Sequence, residues 1–355
     1  MPTRAVSKPT GLVIDPRYQE HDTGSAHPER PERIGVLLAL ANAADAEDAA
    51  NPAFKLVPAR VATGEELALV HDGAYVEEVE ATQGRERFAF DADTPTSPRS
   101  YATACLAAGG FLALLDSIMA GEVGNGFACV RPPGHHAERH RAMGFCLFNN
   151  VAVGAEYLRR RYGLRRVLVV DWDLHHGNGT QHMFESEPGV LYVSLHQYPY
   201  YPGTGAMDEC GRREGEGYTV NLPLPAGCGD AEYGAAFQRI IEPIAQEYEP
   251  EFVLISAGFD AHARDPLGGM EVSADGFRRQ TRVLLDVARA HANGRCAAIL
   301  EGGYDLLAIL NSATGVLDEL AGRQPGAEST GAGRESRIQP LLERIRQVQQ
   351  RYWRL

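Results

Sequence analysis

Short apolar runs alternate with amphipathic stretches along most of this 355-residue chain. Runs rich in Val, Leu, Ile and Ala predict buried strands at 11–15, 126–130, 167–171, 190–195, 252–257 and 296–300. A period near 3.6 predicts helices at 34–44, 100–120, 151–162, 229–247 and 274–292. Strands separated by helix-length segments need crossover connections, so the pattern predicts a mostly parallel central sheet with helices on both faces. One α/β domain over 1–322 accounts for it. Segments 84–99 and 197–218 carry Gly, Pro and Asp without periodicity; long loops of this kind are functional or disordered. The polar, Gly-rich stretch 323–338 is expected to be a linker. Residues 339–355 form a charged amphipathic helix that packs on the domain or on a partner. No internal repeat is present.

Composition narrows this picture only a little. At 44% hydrophobic residues the chain supports a large core. A formal net charge of -13 disfavours direct binding of a nucleic-acid backbone and would tolerate a cationic substrate. The six cysteines show no CxxC spacing, so reduced, buried thiols and a cytoplasmic location are expected. The N-terminus lacks a sustained apolar core, and no segment is expected to span a membrane. Lys8 and Lys55 are the only lysines; with abundant Arg, Ala and Gly they suggest a GC-rich bacterial genome.

The chemistry gathers where the predicted strands end. The run 167–171 leads into DWDLHHGNG, and on an extended chain Asp171, Asp173 and His175 would share one face. Two carboxylates and an imidazole make a ligand set for a divalent metal; a helix cap beside solvated histidines is the plainer alternative. Three further clusters follow. The run 127–130 ends in Arg-Pro-Pro-Gly and then His135 and His136, a pairing that alone is more often a surface turn. The run 252–257 leads to Asp260, where a helix cap is usual. The run 297–300 leads to Gly302, Gly303 and Tyr304, ordinarily a tight turn with an aromatic. Open α/β sheets collect ligands at the carboxyl ends of their strands, and all four clusters fall there.

Together these groups compose a hydrolytic site. Asp173, His175 and Asp260 supply three ligands and leave room for water, as a catalytic zinc requires. His135 or His136 can take a proton from that water and return one to a leaving amine. The Tyr304 hydroxyl can stabilise an oxyanion, and Asp171 can orient His135. The implied reaction is metal-assisted hydrolysis of an amide.

Six ordered segments, 131–138 (RPPGHHAE), 143–146 (MGFC), 171–180 (DWDLHHGNGT), 201–205 (YPGTG), 256–260 (SAGFD) and 301–304 (EGGY), resemble the zinc-dependent histone deacetylase family. The likeness is greatest to its class II and bacterial amidohydrolase branch and runs from 27–33 (HPERPER) to Tyr304. It implies an arginase/deacetylase-type fold, zinc (with ferrous iron as an alternative) on Asp173, His175 and Asp260, and His136 as the base of the tandem pair. It also implies Tyr304 at the transition state and a slot for an acyl-lysine chain flanked by Gly144, Phe145 and Tyr201. Such a slot would bury four methylenes, about 0.8 kcal/mol each. Asp93 matches a rim position that grips substrate. Arg33 matches an arginine lining an acetate-exit cavity, or forms a surface ion pair. Asp171, Asp173, His175, Ser194 and Leu195 match a structural potassium site.

Two departures stand out. Asn178 replaces an acid found in some relatives, which would leave His136 without a carboxylate partner, and Tyr201 replaces a phenylalanine on the slot wall. The expected partners are acetylated lysine side chains or small acetylated amines, with homo-oligomerisation left open. The nearest rival is an acetylpolyamine amidohydrolase, whose acidic gate would draw on Asp91, Asp93 or Glu138. A two-metal ureohydrolase is disfavoured because Asp260 is followed by Asp265 with no Asp-x-Asp. A binding protein without catalysis would be expected to lack the tyrosine or a tandem histidine.

Overall fold

The computed structural model describes residues 8–45, 53–323 and 337–355. Among the described residues ten strands, in chain order, are β1 (Thr10–Ile14), β2 (Phe54–Leu56), β3 (Phe88–Ala89), β4 (Pro95–Thr96), β5 (Asn125–Cys129), β6 (Val167–Asp171), β7 (Val190–Gln197), β8 (Thr219–Leu224), β9 (Phe252–Ala257) and β10 (Cys296–Leu300). The helices are α1 (Glu32–Asp45), α2 (Gly64–Leu67), α3 (Gly73–Glu80), α4 (Ser100–Met119), α5 (Asn150–Tyr162), α6 (Asn178–Phe184), α7 (Asp230–Ala236), α8 (Glu242–Tyr248), α9 (Ala274–His291), α10 (Leu306–Leu320) and α11 (Gln339–Gln349).

Eight strands form one sheet in the order β2-β1-β5-β10-β9-β6-β7-β8, with every pairing parallel. Strands β6, β9 and β10 are buried along their full length, which explains why they read as unbroken apolar runs. The register positions the site. Asp171 aligns with Ser256, Ala257 with Leu300, and Ile299 with Ala128, so β5, β10, β9 and β6 finish side by side. The four chemical clusters therefore emerge from four adjacent strands.

Several elements depart from the sequence expectation. The predicted helix over 229–247 is α7 and α8 joined by a π-helical turn at Phe237–Ile241. Pro243, in the first turn of α8, has no N–H to donate, and the wider turn accommodates that gap. Segment 84–99 holds the small antiparallel pair β3–β4. Helix α10 and edge strand β8 were not anticipated; Pro223 in β8 suits an edge, where a missing donor costs least. Contrary to expectation, α4 is long and apolar enough by composition to cross a membrane. Here it is largely buried, packed on α5, β1 and β5. Most of the linker expected at 323–338 lies outside the described residues. Helix α11 packs against β8 and the π-helical turn. Beyond it the Trp353 indole donates to the Gly217 carbonyl (3.0 Å) and meets Tyr218 and Tyr248 edge-on. All six cysteines are free and buried.

Candidate metal centre

Strand β6 ends at Asp171, so strand alternation does not carry Asp173 and His175 to one face; the following loop does. Asp171 Oδ1 accepts from the Asp173 N–H (3.1 Å), and Asp173 Oδ1 accepts from the His175 N–H (2.8 Å). Each acid thus folds the backbone two residues on, as Asx turns do. Beyond β9, Asp260 Oδ1 accepts from the Leu174 N–H at 2.8 Å, which ties this loop to the one after the neighbouring strand. Asp260 Oδ2 then lies 3.0 Å from His175 Nδ1, and Asp173 Oδ1 lies 3.2 Å from the same nitrogen.

One donor atom each from Asp173, His175 and Asp260 fall within 4.8 Å of one another. Both carboxylates are fully buried, and among the described residues no arginine or lysine forms an ion pair with either. Burial, and next the Asp173 charge, push the Asp260 carboxyl above the usual range. Burial opposes charge on His175, but Asp173 and Asp260 outweigh it and hold the imidazole at about 10. A divalent cation fits this donor set. Two spacings of 3.0 and 3.2 Å approach the edge of roughly 3.3 Å expected for a tetrahedron with bonds of about 2.0 Å. The Gly302 N–H donates to Asp173 Oδ2 (2.8 Å), and a Cβ at Gly302 would stand 2.3 Å from Asp260 Oδ2. Only glycine permits so close an approach.

Glu301 sets the tandem histidines. Buried at the end of β10, its Oε2 accepts from the Gly134 (2.6 Å) and His135 (3.0 Å) N–H groups, and its Oε1 accepts from the Ser256 hydroxyl (3.0 Å). Burial raises its carboxyl to about 7. His135 Nδ1 donates to Asp171 Oδ2 (3.0 Å), which also accepts from the Tyr192 hydroxyl (3.0 Å). Burial opposes its charge, yet Asp173 and Asp171 hold His135 at about 10. His136 Nδ1 faces Asn178 Oδ1 at 2.7 Å, and the Asn178 amide donates to Glu138 Oε1 at 2.5 Å. His136 Nδ1 thus faces the amide oxygen, an acceptor, a setting that favours the proton on Nδ1 and a lone pair on Nε2. Burial, then His135 and His175, hold His136 well below the ordinary value.

Above the donor set lies a cavity of about 280 Å³. Tyr304 lines it, with its backbone N–H on Asp265 Oδ2 (2.6 Å) and the Arg33 guanidinium 5.1 Å from its ring centre. Phe145 meets Tyr304 edge-on at 5.8 Å. Gly144 and Phe145 have φ of +56° and +70°, and a Cβ at Gly144 would stand 2.5 Å from the His136 ring. The strained phenylalanine is held by its N–H on Thr94 Oγ1 (3.2 Å) and by the His27 ring at 4.7 Å. On the other wall Tyr201 lies 5.1 Å from His136, and Tyr200 stacks on His175 at 5.7 Å. Asp93 completes the lining, its carboxyl raised by burial and then by Asp91.

The other sequence-derived positions divide. Arg33 is fully buried, so the surface ion pair is overturned: it shares Glu29 with buried Arg131 and donates to the Gly303 (2.6 Å) and Glu301 carbonyls. Glu138 sits behind His136, bonded to Asn178 and His182, and does not line the cavity. Ser194 aligns with Asp171 across β6–β7, and its hydroxyl meets His196 Nδ1 (2.9 Å), with Leu195 next along the strand. Sequence reasoning missed Tyr192, Thr94, Tyr200 and the part played by Glu301. The visible signals were the tyrosine pair 200–201 and the place of Glu301 at the head of the 301–304 segment.

An all-parallel eight-stranded sheet with this buried trio at its carboxyl edge is an arginase/deacetylase-type α/β protein with a donor set for one divalent metal. Residues 27–320 match the family described as "Histone deacetylase domain". Histone deacetylase 15 of Arabidopsis thaliana is 44% identical over 97% of this chain and 62% of its own length. Polyamine deacetylase HDAC10 of Homo sapiens is 43% identical over 83% of this chain and 44% of its own. A crystal structure of the HDA15 HD domain superposes with a TM-score of 0.89 at 42% identity, covering 98% of this chain and 96% of that one. The chain belongs to the histone deacetylase family. It spans about half the length of these curated relatives.

Proposed function

We propose that this protein hydrolyses the amide of acetyl-lysine-like substrates, releasing acetate and a free amine. The observation that carries this reading is the Asp173–His175–Asp260 trio, whose His175 lines a cavity shared with Tyr304 and both tandem histidines. Zinc or ferrous iron held by these three residues would supply Lewis acidity toward the acetyl carbonyl and toward water. His136 Nε2 accepts the proton of the attacking water, because its Nδ1–H is committed to Asn178. The same nitrogen returns a proton to the departing amine. Asp171 orients His135, and the Tyr304 hydroxyl donates to the developing oxyanion. Gly144, Phe145 and Tyr201 flank the alkyl chain while Asp93 meets the substrate at the rim. A structural potassium ion on Asp171, Asp173, His175, Ser194 and Leu195 belongs to this reading, supported by the alignment of Asp171 with Ser194. So does acetate departure past Arg33, supported by its burial beside Tyr304.

A second reading, hydrolysis of acetylated polyamines, draws on the likeness to the human polyamine deacetylase and on Asp93 in the cavity wall. The deciding experiment compares kcat/KM of metal-reconstituted protein on an acetyl-lysine peptide, acetylputrescine and acetylspermidine. Preference for the peptide supports the first reading, and preference for the amines the second. No turnover of any of them with metal bound defeats both. Asp173→Ala should abolish stoichiometric metal uptake; retained metal would remove Asp173 from the ligand set.

A further inference from the structure

The acid missing next to His136 is present one step further out. Asn178 opens α6 and His182 lies one turn later on the same helix, so both side chains share a face. Between them sits Glu138 Oε1, accepting from the Asn178 amide (2.5 Å) and facing His182 Nδ1 (2.8 Å). The backbone of Glu138 is clamped at both ends: its N–H donates to the Arg141 carbonyl (2.9 Å), and its carbonyl accepts from His71 Nδ1 (3.0 Å). Its side chain is nearly buried, and among the described residues its one ion-pair partner is His182.

We propose that Glu138 is a positioning residue for the proton acceptor His136, acting through Asn178. An asparagine amide has two orientations of similar shape and opposite polarity. A carboxylate only accepts, so Glu138 admits the orientation that points the amide NH₂ outward and the oxygen at His136. In the flipped orientation the amide would donate to His136 Nδ1, drive its proton to Nε2 and remove the lone pair that faces the cavity. The Met143 sulfur and the His136 carbonyl, both 3.4 Å from the amide nitrogen, are weaker acceptors and could not hold the orientation alone. Asn178 thus transmits a tautomer choice from a carboxylate without placing its charge on the imidazole. This inference rests on the hydrolytic reading above.

The test combines kinetics with ¹⁵N NMR of the histidine side chains in the full chain. Glu138→Ala should lower kcat about tenfold or more, with KM and metal content unchanged. Glu138→Gln, whose amide can accept or donate, should restore only part of that loss, and full restoration would show that an acceptor-only group is not required. In an Asn178→Ala background Glu138→Ala should cost nothing further. The NMR spectrum should show His136 protonated on Nδ1 in the wild type and shifted toward Nε2 in Glu138→Ala. Additive losses in the double variant, or an unchanged tautomer in Glu138→Ala, would overturn the proposal. Because the tautomer is read without turnover, an absence of deacetylation would sink the hydrolytic reading and still leave Glu138's role decided.

Discussion

Tyr304 and Gly144 fail in different ways when altered, and the difference separates chemistry from shape. Tyr304→Phe keeps the ring against Phe145 and Arg33 and deletes one donor. It should lower kcat by about 10²–10³ while metal content holds, and steady-state kinetics beside metal analysis checks both. Gly144→Ala adds no polar group, but it forces a Cβ toward the His136 ring in a left-handed backbone. It should cost at least about tenfold in kcat through displaced geometry, and near-normal turnover would show that the wall yields. At this scale the candidate donor trio was legible because acids and histidines at the ends of apolar runs are expensive unless used. Tyr192 and Thr94 were not. Tyr192 sits mid-strand in β7 and reaches Asp171 only through the β6–β7 pairing, and Thr94 meets Phe145 only because the β3–β4 loop folds over it.

Among the elements, those with strong internal periodicity were visible and those defined by neighbours were not. The central strands declared themselves as aliphatic runs. Strand β8 carries Asn221 and Pro223 in six residues and becomes a strand by pairing with β7. The π-helical turn before α8 follows from one proline within an otherwise continuous helical pattern. The C-terminal segment offers an element-level prediction. Trp353 links the end of the chain to the loop before β8 through Gly217, Tyr218 and Tyr248. It is only half-buried, so Trp353→Ala should cost about 2 kcal/mol, read as a lower urea midpoint. An unchanged midpoint would mean that the segment is not held by this contact.

Over the molecule as a whole, three histidines make stability depend on pH. Burial lowers the pKa of His21, His71 and His196 to about 4. His71 and His196 are satisfied as neutral rings: His71 donates to Glu138 O and accepts from Asn149 N–H, while His196 pairs with Ser194 and Gly205. In the unfolded chain such groups take up a proton near pH 6.5; in the folded chain they resist until about 4. Their contribution is therefore complete above pH 6.5 and falls as pH drops toward 4, by up to about 3 kcal/mol each. His135 and His175, held near 10, and Glu301, raised to about 7, act in the opposite direction as pH falls, so the test is by difference. Between pH 7.5 and 4.5 the urea midpoint of His71→Gln should change more favourably than that of the wild type, and identical changes would contradict the assignment.

The shared finishing line of β5, β10, β9 and β6 also bears on synthesis. Two of the candidate metal donors, Asp173 and His175, leave the ribosome well before the third, Asp260, and before Tyr304. Strand β10 separates β5 from β9, with Phe127 aligned to Ala298, so the histidine turn and the donor loop are brought together by a strand made after both. A nascent chain stopped short of β10 would carry most of the reactive groups with no framework to converge them. Metal binding by such a chain would be expected only once β10 has joined the sheet, however many of those groups it already contained.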